Sequence, residues 1–132
     1  APFRSSLLTP FQGYSILAYN LETVLAEKIE TVLSRSIANT RPRDFYDIHI
    51  LYALRGAECN VKTLLQALER TADKRGSRKV LEIYPDIIAE IRASEQLRGF
   101  WKKYQRDFDY AKDISFDDAC DTVQRIMDSI TE

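Results

Sequence analysis

The sequence predicts a mainly α fold: a bundle of about five to six helices behind a short extended or strand segment at the N-terminus. Two observations predict it. From Asn20 onward, apolar residues recur at helical spacing through nearly the whole chain, and strand periodicity is essentially missing. Between the periodic runs stand residues that start and stop helices: Asn20, Asn60, Ser77 and Ser115 ahead of runs, Gly56 and Gly76 behind them. With 132 residues, 45% hydrophobic and 30% charged, the chain has the size and composition of one soluble globular domain.

The elements follow in order. The chain opens Ala-Pro-Phe-Arg, without Met, and runs into a strand-like stretch at residues 14–19. One or two strands do not make a stable sheet alone. Residues 1–19 are therefore read as the truncated end of an N-terminal sheet domain, and residues 20–132 as a helical C-terminal domain. The first helix carries Leu21, Val24, Leu25, Ile29, Val32 and Leu33, with Asn20 as its N-cap. The second begins near Pro42, suited to a first helical turn, and runs through Phe45, Ile48, Leu51 and Tyr52 to Arg55. Gly56 is its expected left-handed stop. Asn60 caps a third helix over residues 61–75, ended by Gly76. Ser77 is expected to cap residues 78–92, which Pro85 should kink or split. Residues 97–108 hold the cluster Phe100, Trp101, Tyr104 and Phe108 at helical spacing. Ser115, with Asp117 and Asp118 at the positive end, opens a last helix that ends near Ile130.

Several function classes drop out. A formal net charge of −1 gives no global basic field for nucleic acid. Cys59, Cys120 and the single His49 fall short of the four ligands of a structural zinc site, so no metal site is read, and the cysteines read as free thiols of a reducing cytoplasm. No apolar run approaches the ~20 residues of a membrane span, and no signal-peptide pattern occurs.

Charges on the apolar side of two helices hold the chemistry. Stepping about 100° per residue from Leu21, Lys28 falls inside the apolar arc between Val24 and Leu21, and Glu22 falls beside Ile29. Glu27 and Glu30 fall outside it, as solvated charges should. On the next helix, Leu54, Leu51, Ile48, Tyr52 and Phe45 define the arc, and both Asp44 and Asp47 lie within it. Arg41 and Arg43 directly precede them. Two antiparallel helices sharing a core would bring Lys28 towards these aspartates. Such a cluster suits phosphate chemistry: the lysine is a compact charge for phosphate oxygens, and the carboxylates orient it, hold a cation or accept a proton. A purely structural reading stands beside this one. Asp44 and Glu22 occupy first turns, where an acid is favourable anyway, Lys28 can snorkel to water, and the charges can form a scaffold ion pair.

The segment Tyr19-Asn20-Leu21-Glu22-Thr23-Val24-Leu25-Ala26-Glu27-Lys28, followed by Arg41-Pro42-Arg43-Asp44-Phe45-Tyr46-Asp47-Ile48, resembles the AbiEii/AbiGii family of nucleotidyltransferase toxins. The family pattern is a helix reading roughly L-E-x-x-L-A-x-K, then R-x-[KR]-D-x-x-D at the start of the next helix. The likeness is close over residues 14–54; beyond them it rests on a Trp-x-x-Tyr, here Trp101 and Tyr104. The resemblance implies the C-terminal helical portion of a polymerase-beta-like nucleotidyltransferase, with residues 1–19 ending its nucleotidyltransferase sheet domain. It implies a bacterial toxin of a toxin–antitoxin pair linked to abortive infection and phage defence, with a cognate antitoxin. A nucleoside triphosphate would be the substrate, Mg2+ the cofactor in the complete protein, and tRNA an acceptor. By motif position, Lys28 would contact the triphosphate and Asp44 would be the catalytic or orienting acid. Asp47 would assist them, with Glu22, Arg41 and Arg43 at neighbouring nucleotide-binding positions.

The chain departs from the family in lacking the Gly-rich turn followed by the metal-binding D-x-D. Its one D-x-D, Asp107-Phe108-Asp109, follows the aromatic helix and reads as a solvated helix end. The Mg2+ would then bind through residues absent from this chain, and the 132 residues alone should give no turnover. The alternative is a non-catalytic helical protein-interaction module with a structural Lys–Asp ion pair. Two basic stretches remain: Arg70, Lys74, Arg75, Arg78 and Lys79, and then Arg92, Arg98, Lys102, Lys103 and Arg106. The second, beside Trp101 and Tyr104, can be read as an RNA contact or as the solvated face of an aromatic-cored helix. His49, at the edge of its helix's apolar arc, reads as packed or surface, and Tyr46 as surface or inter-helix packing.

Overall fold

The computed structural model describes residues 20–131. The strand expected over residues 14–19, and the domain division before residue 20, lie outside them. Among the described residues there are six α-helices and no strand: α1 Leu21–Arg35, α2 Pro42–Arg55, α3 Val61–Arg75, α4 Val80–Ala93, α5 Glu95–Asp107 and α6 Phe116–Thr131. None of these helices is long and apolar enough to cross a membrane.

α1 is the hub. It packs on α3, α2 and α4, while α6 closes the bundle against α2, α4 and α3, and α5 leans on α2. Leu25, Ile29 and Val32 of α1 are fully buried with Ile48, Leu68 and Ile126 from three other helices. One continuous apolar core results, and burial of side chains of this size stabilises by about 1.5–3 kcal/mol each. Trp101 of α5 is also buried, and its indole N–H donates to the Ile114 carbonyl at 2.9 Å. Satisfying that donor makes an indole tolerable inside the bundle.

Most helix ends follow from local chemistry. Asn20 and Asn60 accept the Thr23 and Thr63 amides, Ser115 accepts the Asp118 amide, and Gly76 adopts φ 72° to end α3. Four expectations need correction. Gly56 is right-handed, at φ −59°, and the chain continues into a 3₁₀ turn. Its missing side chain makes room for Tyr52, whose ring would lie 3.2 Å from an added Cβ. Ser77 does not cap α4, which begins at Val80; its hydroxyl donates to Glu30 instead. Of the two outcomes expected at Pro85, splitting does not occur: the residue lies inside α4, which runs on to Ala93. Leu54, placed in the apolar arc of α2, is 76% exposed, because the last turn of α2 runs past the core.

Candidate functional site

A short connection sets the geometry between α1 and α2. After Arg35 the chain makes a 3₁₀ turn at Ser36–Ala38, then buries Asn39, whose side-chain oxygen accepts the Arg41 amide at 2.8 Å. Pro42 starts α2 directly afterwards. This tight return aims the first turns of α2 at the middle of α1.

The result joins Lys28 to one of the two aspartates. Lys28 Nζ donates to Asp47 Oδ2 at 3.0 Å, and Arg43 Nε stands 3.6 Å from the same oxygen. Lys28 keeps 24% of its side chain exposed, so it packs its stem and presents its ammonium to water. Asp44 does not pair with Lys28. It is buried, Arg41 Nε is 3.8 Å from its Oδ2, and that oxygen has no hydrogen-bond partner among the described residues. A buried carboxylate oxygen without a donor is costly.

Lys28, Arg41 and Asp44 share an open cleft of about 560 Å³, with Arg35, Glu30 and Arg75 on its other walls. The opposite wall was not legible in the sequence. Glu30, expected in solvent, is buried: Oε1 accepts from Arg75 Nη1 at 2.5 Å and Oε2 from the Ser77 hydroxyl at 2.7 Å. The buried arc of α1 is turned by about 60° towards Ala26 and Glu30 relative to the apolar arc. The turn after α3 covers that side of the helix. The partners of Glu30 lie 45 and 47 residues downstream, beyond α2 at the end of α3, and no signal within α1 announces them.

The other sequence candidates separate. Glu22 is buried as expected, but its carboxylate accepts the Asn60 amide at 2.7 Å, at the start of α3, and does not line the cleft. There an acid meets the positive end of a helix. It also joins burial, the larger cause, in pushing the Cys59 thiol upward. Arg41 and Arg43 are both largely exposed at the start of α2. His49 is packed, with Nδ1 2.7 Å from the Thr122 hydroxyl. Tyr46 lies between helices, its ring 4.7 Å from that of Tyr110.

The aromatic face of α5 is core. Trp101 and Tyr104 are buried, and the Tyr104 hydroxyl meets that of Tyr110 at 2.9 Å. Burial first, then Tyr110 and Asp47, raises the Tyr46 phenol; burial and the Tyr110 hydrogen bond raise Tyr104. In the nearby basic stretch Arg92 pairs with Asp121, Arg98 with Asp117 and Lys103 with Asp107. Asp107 and Asp109 are exposed at the helix end, as read. Cys59 and Cys120 are free thiols.

A divalent cation needs several converging oxygen ligands. Among the described residues no group of three or more His, Cys, Asp or Glu side chains converges in this way. Residues 20–131 therefore do not fit the Mg2+ that the resemblance implies.

Among known proteins, a family model described as "Nucleotidyl transferase AbiEii toxin, Type IV TA system" matches residues 1–122. Comparison with curated proteins and with solved structures gives no match. The matched stretch includes both segments that meet at Lys28 and Asp47 and every residue named on the walls of the cleft. The chain belongs to the AbiEii nucleotidyl transferase toxin family of type IV toxin–antitoxin systems.

Proposed function

We propose that the cleft between α1, α2 and the end of α3 binds the triphosphate of a nucleoside triphosphate, and that the protein acts as a nucleotidyltransferase toxin. The acceptor proposed is a nucleic acid such as tRNA. Membership of a toxin–antitoxin family brings with it a cognate antitoxin, and the reading includes bacterial phage defence in the cytoplasm. One observation carries the proposal: Lys28 and Arg41 face the same cleft as Asp44, whose buried oxygen lacks a donor.

The residues divide the work by charge. Lys28 supplies a point charge to phosphate oxygens, and Asp47 beside it keeps the ammonium at the cleft edge. Asp44 lines the cleft, and its carboxylate takes the proton of an acceptor hydroxyl that approaches from the cleft side. The acceptor oxygen bonds to the α-phosphorus, the bond to the bridging oxygen breaks, and pyrophosphate leaves. Mg2+ would supply charge neutralisation in this chemistry. Since the described residues do not fit the ion, no step is assigned to it.

Toxicity of the complete protein in cells is the test. Lys28→Ala and Asp44→Asn should each abolish growth arrest while the purified protein stays soluble and helical. Retained toxicity would reduce both residues to scaffolding. That outcome would favour the interaction-module reading, which the Lys28–Asp47 ion pair also fits.

A further inference from the structure

Arg75 reaches the cleft from outside both sequence motifs, at the last residue of α3. Its guanidinium is only partly engaged. Nη1 donates to Glu30 Oε1 at 2.5 Å and to the Thr31 hydroxyl at 3.2 Å. Among the described residues, Nη2 and Nε make no hydrogen bond. A guanidinium carries five N–H donors in a rigid fork, so the bonds at Nη1 fix its plane and leave the remaining N–H groups open. The side chain is 44% exposed, whereas the carboxylate that holds it is 3% exposed.

An arginine at a helix end is ordinarily explained by the helix dipole. That explanation does not account for Glu30. Burying a carboxylate costs several kcal/mol before its partners offset it, so a buried ion pair is a weak source of stability by itself. What the carboxylate provides is orientation. It anchors one nitrogen of Arg75 while the Ser77 hydroxyl anchors the carboxylate in turn. A planar fork fixed at one end, across the same cleft from Lys28, is suited to gripping two oxygens of a phosphate group. The Glu30–Arg75 pair is close to neutral as a whole, so what it offers an anion is the directed N–H fork and not net charge.

We infer that Arg75 is an anion-binding arm of the cleft, closing on a phosphate group from the side opposite α2, with Glu30 as its positioning residue. The inference rests on the reading of the cleft as a triphosphate site and adds a ligand that neither motif contains.

Calorimetric titration of the full chain with inorganic tripolyphosphate, well below the melting temperature, tests both statements separately. Wild type should bind, and Lys28→Ala and Arg75→Ala should each weaken binding at least tenfold. Arg75→Lys keeps the charge and a link to Glu30 but loses the fork. It should melt like wild type and still bind several-fold more weakly. Glu30→Gln should weaken binding with Arg75 intact. A purely structural Arg75 would change melting without changing affinity. If Arg75→Lys and Arg75→Ala bind like wild type while Lys28→Ala does not, the arm is wrong and the cleft reading survives. If Arg75→Ala does not fold, Arg75→Lys decides alone. If wild type does not bind tripolyphosphate, the cleft reading falls and the arm falls with it.

Discussion

Glu30 and Asp47 each hold a cation from another segment, and their surroundings predict very different costs of removal. Glu30 is sealed in and serves two donors, the Arg75 guanidinium and the Ser77 hydroxyl. Removing it opens a small void and strands the Ser77 hydroxyl, although Arg75 can turn to water. Glu30→Ala should cost about 2 kcal/mol. Asp47 is half-buried beside two cations that both reach solvent, so Asp47→Ala should cost below about 1 kcal/mol. Urea unfolding midpoints at constant slope check the ranking, and an Asp47 loss equal to or above that of Glu30 would refute it. Lys28, Asp44 and Asp47 were legible in the sequence because helical phase alone sets a charge against its neighbours. Glu30 was not, because its partners come from a turn that folds back from elsewhere.

Helix ends show the same division between what is local and what is not. Asn20, Asn60, Gly76 and Ser115 could be read directly, since a cap is made within a few residues of itself. Gly56, Ser77 and Leu54 could not. Gly56 answers to the ring of Tyr52, Ser77 to a carboxylate on α1, and Leu54 to where the core stops. At Ser115 the capping box is reciprocal: its hydroxyl accepts the Asp118 amide at 2.9 Å, and the Asp118 carboxylate accepts the Ser115 amide at 3.3 Å. Ser115→Ala should cost about 1 kcal/mol, a melting shift of about 4 °C for a chain of this size. Asp118→Ala should cost somewhat less, its bond being longer. Because each residue holds the other, the double variant should lose less than the sum. Strict additivity in thermal melts would mean that the two caps act independently.

At the scale of the whole molecule, the side of the bundle where α2, α5 and α6 carry their acids and phenols gives stability a direction in alkaline pH. Cys120 of α6 is buried, and burial is the main cause that pushes its thiol from an ordinary value near 9 up to about 12. Tyr46 and Tyr104 are raised in the same direction, again chiefly by burial. In each case the native state holds its proton at a pH where the unfolded chain has released it. Stability is therefore fully present below pH 9 and falls as pH rises through the unfolded values, by at most about 1.4 kcal/mol per pH unit for each group inside its window. Unfolding free energies from urea titrations at pH 8, 9, 10 and 11 should decline progressively. Cys59, whose thiol burial and then Glu22 push upward, adds a fourth contribution of the same sign. Cys120→Ala removes one of the four at the cost of a small cavity. It should start less stable at pH 8 and decline less steeply between pH 9 and 10, where its thiol ionises in the unfolded chain together with that of Cys59 and part of the phenols. Wild-type stability that stays flat to pH 11, or a Cys120→Ala slope identical to wild type between pH 9 and 10, would show that Cys120 is not protected by the folded bundle.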